Sequence, residues 1–125
     1  MSRQPKYRPE RLGALVQETL AEVITTRVKD PRVGFVTLTG VQVAPDGSHA
    51  TVRLSVLGDE EAKAQALAGL ESARGFLRSH LARTLSLRVV PELSFVLDRG
   101  LEHAQRIEQV LADLRREDVE PPEDR

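Results

Sequence analysis

A chain of 125 residues without cysteine or tryptophan is long enough for one domain, which at this size buries roughly two thirds of its unfolded surface without staples. The missing cysteines exclude disulfides, thiol catalysis and Cys-ligated zinc, and no apolar run approaches the ~20 residues of a membrane span. The net charge of −1 hides a split: residues 1–91 hold 13 Lys and Arg against 9 Asp and Glu, or +4, whereas residues 92–125 hold 5 against 10, or −5.

The N-terminal stretch MSRQPKYRPER is basic but has no apolar core behind it, which speaks against a secretory signal; a soluble, cytoplasmic protein is expected. Pro9 suits a first helical turn. Leu12, Leu15, Val16, Leu20, Val23 and Ile24 then recur at three- and four-residue steps and predict one apolar helix face. Asp30-Pro31 ends the pattern, because the residue before proline avoids helical geometry.

Residues 34–44 alternate like a strand, but the phase slips between the pair Val36 and Leu38 and the pair Val41 and Val43. A bulge near Gly40 would turn both pairs toward the core. Pro45-Asp46-Gly47 signals a turn, and Ala50, Val52, Leu54 and Val56 alternate cleanly with Thr51, Arg53 and Ser55, completing a hairpin. Asp59 is placed to cap a following helix, and Asp59, Glu60 and Glu61 complement its dipole. Leu67, Leu70, Leu77, Leu81 and Leu85 form the apolar stripe.

That stripe runs through Gly75, which costs about 1 kcal/mol relative to Ala inside a helix. Two helices, over about 59–72 and 76–85, are therefore expected to meet at a kink over Ala73-Arg74-Gly75. Leu93, Phe95 and Leu97 predict a third strand, and Pro91 near its start favours an edge position or the beginning of a strand. Ile107, Val110, Leu111 and Leu114 place one apolar face on a last helix within residues 99–114. Residues 117–125 are charged and nearly devoid of apolar side chains, the composition of a disordered tail. The order α-β-β-α-α-β predicts a two-layer α+β domain, with helices on one face of a three-stranded sheet.

No acid lies between Ser72 and Pro91, a run that contains Arg74, Arg78, Arg83 and Arg88, with His80 among them. A second basic cluster holds Arg3, Lys6, Arg8 and Arg11. Such groups neutralise phosphates and release counterions without reading sequence. Arg74 and Arg78, four residues apart, share a helix side; Arg83 points elsewhere, and His80 can share its side. Among the aromatics, Phe35, Phe76 and Phe95 are expected to pack, which leaves Tyr7 as the one candidate to stack on a base. His49, His80 and His103 fit no metal pattern, and no P-loop or nucleophile elbow is present. Asp30 and Asp98, at element ends, suit local capping better than catalysis.

Paired helices with a short glycine-containing junction on a three-stranded sheet resemble the KH RNA-binding module, which grips a nucleic-acid backbone with a GXXG loop. No two glycines here stand three apart, and the junction reads Ala73-Arg74-Gly75. With Arg8 and Arg11, Asp30-Pro31-Arg32, Val41-x-Val43 before Asp46, Ala73-x-Gly75 before Leu77 and Arg78, Pro91-Glu92-Leu93-x-Phe95, Asp98 and Arg106-Ile107, the chain resembles the bacterial ribosome-binding factor A family over residues 5–114. In that family an Ala-x-Gly kink replaces the GXXG loop.

The resemblance implies a type II KH-like domain over residues 1–114, with a kinked helix pair, a C-terminal helix, and an acidic tail over 115–125. It implies a monomeric, cytoplasmic, non-catalytic assembly factor without metal or cofactor. Such a factor binds the immature 30S subunit and assists maturation and processing of the 5′ region of 16S rRNA, notably in the cold. An assembly GTPase and initiation factors are further partners on the subunit. The expected RNA-binding residues are Lys6, Arg8, Arg11, Arg74, Arg78, Arg83 and Arg88, with Ala73 and Gly75 at the kink. Two other readings stay open: a small α+β enzyme of the acylphosphatase kind, disfavoured because the chain has no asparagine, and a protein–protein adaptor.

Overall fold

The computed structural model describes residues 7–100 and 108–115. Helix α1 spans Pro9–Arg27, strand β1 Val36–Val43, strand β2 His49–Val56, helix α2 Glu60–Ser72, helix α3 Arg74–Leu85 and strand β3 Glu92–Leu97. A helical segment occupies 108–115. The expected α+β order is present, and the KH-like description fits it.

The sheet runs β1-β2-β3, with β1 and β2 antiparallel and β2 and β3 parallel. β3 is thus an edge strand, and Pro91 stands directly before its first residue, so both positions expected of that proline are met. The pairing shifts register between Leu38 and Gly40. That bulge keeps Val36, Leu38, Val41 and Val43 all in contact with the core, so one strand can change phase without turning apolar groups outward. At the hairpin turn Gly47 has φ +77°, and the Asp46 carboxylate accepts from the Ser48 N–H at 3.0 Å and the Ser48 hydroxyl at 2.7 Å.

The core is one layer between sheet and helices. Val16 and Leu20 of α1, Val52 and Leu54 of β2, Leu70 of α2 and Leu77 and Leu81 of α3 are fully buried. Gly13 lets α1 approach β1 closely: a Cβ there would lie 2.7 Å from the Val41 carbonyl oxygen. Asp59 caps α2 by accepting from the Ala62 N–H at 2.9 Å.

Phe35 is not in the core. It sits one residue before β1 and is 74% exposed, although its carbonyl accepts from the Leu57 N–H at 3.1 Å. Alternation explains this: with Val36 and Leu38 turned inward, Phe35 must point the other way. Val110, Leu111 and Leu114 share the helical segment 108–115 but are about half exposed and lie outside the core cluster. The expectations for Arg3, Lys6, His103, Arg106, Ile107 and residues 116–125 fall outside the described residues.

Candidate nucleic-acid interface

The expected kink is present, but its position is Ala73 rather than Gly75. Ala73 alone separates α2 from α3, with φ −90° and ψ 0°, in the sparsely populated bridge region. Its N–H donates to the Gly69 and Leu70 carbonyls, each at 3.1 Å, and its carbonyl accepts from the Leu77 N–H at 2.9 Å. Arg74 and Gly75 already belong to the first turn of α3, two residues earlier than the sequence suggested. A Cβ on Gly75 would meet nothing within 4 Å, so no neighbour demands a glycine there.

The glycine that packing does require is Gly69. A Cβ at that position would lie 2.6 Å from Cγ2 of Val33. The loop after α1 is thereby laid against the end of α2, just before the kink. Arg32 braces it: its guanidinium donates to the Asp30 carboxylate at 2.6 to 3.1 Å and reaches the Ser72 hydroxyl at 3.3 Å. The Asp30 carboxylate also accepts the Arg32 N–H. Bonding to the Arg32 side chain, then to its backbone, holds the Asp30 pKa down at about 2, against an ordinary 3.8. A second glycine in a helical run was the signal for this contact.

Burial of Leu77, Leu81 and Leu85 fixes the roll of α3 and divides its polar residues between two flanks. On one flank, Arg78 donates from Nε to the Pro91 carbonyl at 3.0 Å and from Nη2 to the Val90 carbonyl at 2.8 Å, with the Glu92 carboxylate at 3.6 Å. It ties α3 to the approach to β3. On the same side, Arg74 is ion-paired with Glu71 of α2. Both arginines expected to meet RNA are therefore engaged within the chain.

On the other flank lie Phe76, His80 and Arg83, at i, i+4 and i+7. Arg83 and Arg88 are exposed and, among the described residues, have no ion pair or hydrogen bond; the same holds for the side chains of Arg8 and Arg11. Tyr7 is not a free stacking ring. It is half-buried against the core, and its hydroxyl donates to the Leu85 carbonyl at 3.3 Å.

That contact draws the N-terminal segment to the C-terminal end of α3. At the opposite end, Arg27 of α1 lies over the Phe76 ring of α3. The two helices thus run antiparallel, and Arg8 and Arg11 come to the same end of the molecule as Arg83 and Arg88. The described arginines of two clusters far apart in sequence thus come to one end of the molecule. The exposed face of α1 is mixed, because Glu10, Glu18 and Glu22 accompany Arg11; α3 and the loop to Pro91 carry no acid. No group of three or more His, Asp or Glu among the described residues could hold a metal ion, and none of the described helices is long and apolar enough to cross a membrane.

An α-β-β-α-α-β sheet-and-helix layer with a bent helix pair is the architecture of a KH-like domain. The family model for Ribosome-binding factor A matches residues 8–111, and the chain belongs to that family. Ribosome-binding factor A of Staphylococcus saprophyticus is 42% identical over 111 residues, covering 89% of this chain and 97% of the relative. The crystal structure of ribosome-binding factor A from Thermus thermophilus superposes with a TM-score of 0.66 at 33% identity, covering 75% of this chain and 100% of that one. A homology model of the Thermus thermophilus factor, fitted into a cryo-EM map of its 30S complex, gives 0.61 at 33% identity, over 73% of this chain and 96% of that one.

Proposed function

We propose that this protein binds the immature 30S subunit in the cytoplasm, as a monomer, and assists maturation of the 5′ region of its 16S rRNA without catalysis. The observation that carries the reading is the joining of Arg83 and Arg88 to Arg8 and Arg11 through the Tyr7–Leu85 contact. Four guanidiniums at one end of a small domain, without a partner among the described residues, suit the dense phosphate of folded rRNA, and each can bond a phosphate in bidentate fashion. The Thermus relative seen on a 30S subunit supports the same partner. Arg74 and Arg78 contribute by setting the helix pair and the loop before β3, and Lys6 extends the N-terminal cluster in sequence. Release by an assembly GTPase or by initiation factors belongs to the same proposal.

Co-sedimentation of purified 30S subunits with the double variant Arg83→Glu, Arg88→Glu tests it. Neither side chain has an intramolecular partner to lose among the described residues, so the variant should melt like the parent. Binding should fall at least about tenfold, and the salt dependence should flatten by up to ~1 in log–log slope per phosphate contact removed. A folded double variant that binds subunits as the parent does would refute the assignment. Binding indifferent to salt would favour a protein–protein adaptor instead.

A further inference from the structure

Resting on the RNA-binding reading above, we infer that Phe76, Arg27 and His80 form a seat for one unpaired nucleotide of the bound RNA, with its base stacked on the Phe76 ring. The ring is 39% exposed, although the stripe beside it, Leu77 and Leu81, is fully buried. Phe76 is not a member of the buried core cluster. Arg27, from the last turn of α1, holds its guanidinium carbon 5.8 Å from the Phe76 centroid, within the range of cation–π attraction. The His80 ring, one helical turn along α3, lies 6.3 Å away and is inclined by 34°.

Two aromatic faces and a guanidinium plane therefore gather where the end of α1 meets the start of α3, beside the kink. Every base offers a π face to such a platform whatever its identity. Arg83 follows Phe76 by seven residues on the same side of α3, about 10 Å along the axis, and has no partner among the described residues. It is placed for the phosphate of a neighbouring nucleotide.

A protein partner is the competing occupant, and the surroundings argue against it. Among the large hydrophobic side chains that are exposed, Phe76 is the one that α3 supplies. A single ring amid cations is a small apolar patch for a protein interface. Unpaired bases of folded RNA are typically recognised by aromatic and guanidinium stacking.

The test uses the full chain, purified 30S subunits, and an oligoribonucleotide carrying 2-aminopurine, presented either unpaired or within a duplex of the same length. The wild-type protein should quench the unpaired probe and prefer it to the duplex. Phe76→Leu, which keeps apolar bulk and removes the π face, should lose about tenfold for the unpaired strand and leave duplex binding unchanged; Phe76→Trp should restore the preference. Arg27→Gln, outside the core, should weaken the same binding about threefold whether or not Phe76→Leu melts early.

Unchanged affinity of both Phe76→Leu and Arg27→Gln for the unpaired strand would overturn the seat. So would loss of subunit binding by Phe76→Leu with RNA affinity intact, which would identify a protein occupant. If the arginine double variant loses the subunit while Phe76→Leu and Arg27→Gln leave strand preference untouched, the ribosomal reading stands and the seat does not. A wild-type chain that binds neither subunits nor RNA would remove both.

Discussion

Replacing Gly75 by alanine should stabilise this protein, whereas the same change at Gly13 should destabilise it. Both glycines lie in helices. At Gly75 a Cβ meets no atom within 4 Å, and the residue sits in the first turn of α3 without a positive φ. The substitution therefore restricts the unfolded chain without straining the folded one, which is worth about 0.5 kcal/mol. At Gly13 the new methyl would sit 2.7 Å from the backbone oxygen of Val41. Overpacking of that kind costs about 1–3 kcal/mol, of which the gain in helix propensity returns ~1 kcal/mol. The net is a loss of about 1 kcal/mol. Urea denaturation of the two variants, read as shifts in midpoint at constant slope, should give opposite signs. If Gly75→Ala shifted the midpoint down as Gly13→Ala does, the bend would depend on Gly75 and the assignment of the break to Ala73 would fail.

Arg78→Met keeps the apolar stem but deletes two charge-assisted bonds to the Val90 and Pro91 carbonyls. With the side chain 33% exposed, water can compensate in part, and a loss of about 2 kcal/mol is expected, seen as a melting temperature roughly 8 °C lower. An unchanged melting temperature would mean that Arg78 is free for RNA after all. In acid, Asp30 and Glu60 are both held at about 2, from ordinary values of 3.8 and 4.5, chiefly by the guanidiniums of Arg32 and Arg99. Depressed carboxylates contribute stability that is present above their ordinary values and lost as pH falls through the folded values. Melting temperature should therefore drop between about pH 4.5 and about pH 2, and drop less in the double variant Asp30→Asn, Glu60→Gln. Equal drops in parent and variant would contradict the two ion pairs.

The elements and their inward faces were legible because burial periodicity is local. The stripe from Leu12 to Ile24 names α1 and its buried side before any contact is known. The phase slip around Gly40 predicts the β1 bulge, since only an extra residue can return Val41 and Val43 to the side of Val36 and Leu38. Phe35 was expected to pack and does not: it precedes the inward-facing Val36 by one residue, and the period-2 geometry turns it outward.

What an arginine does was not legible, because a guanidinium is committed by whichever acceptor the fold brings to it. Arg78 finds carbonyls 12 and 13 residues away, Tyr7 finds one 78 residues away, and no spacing along the chain announces either. The sequence by itself determined the inward stripes of α1 to α3 and the inward faces of β1 to β3, since an apolar period is a local property of the chain. Tertiary structure alone decided which cations remain unpaired among the described residues, and that arginines from the two ends of the chain's basic stretches meet, since those depend on pairs of groups brought together by the closing of the fold.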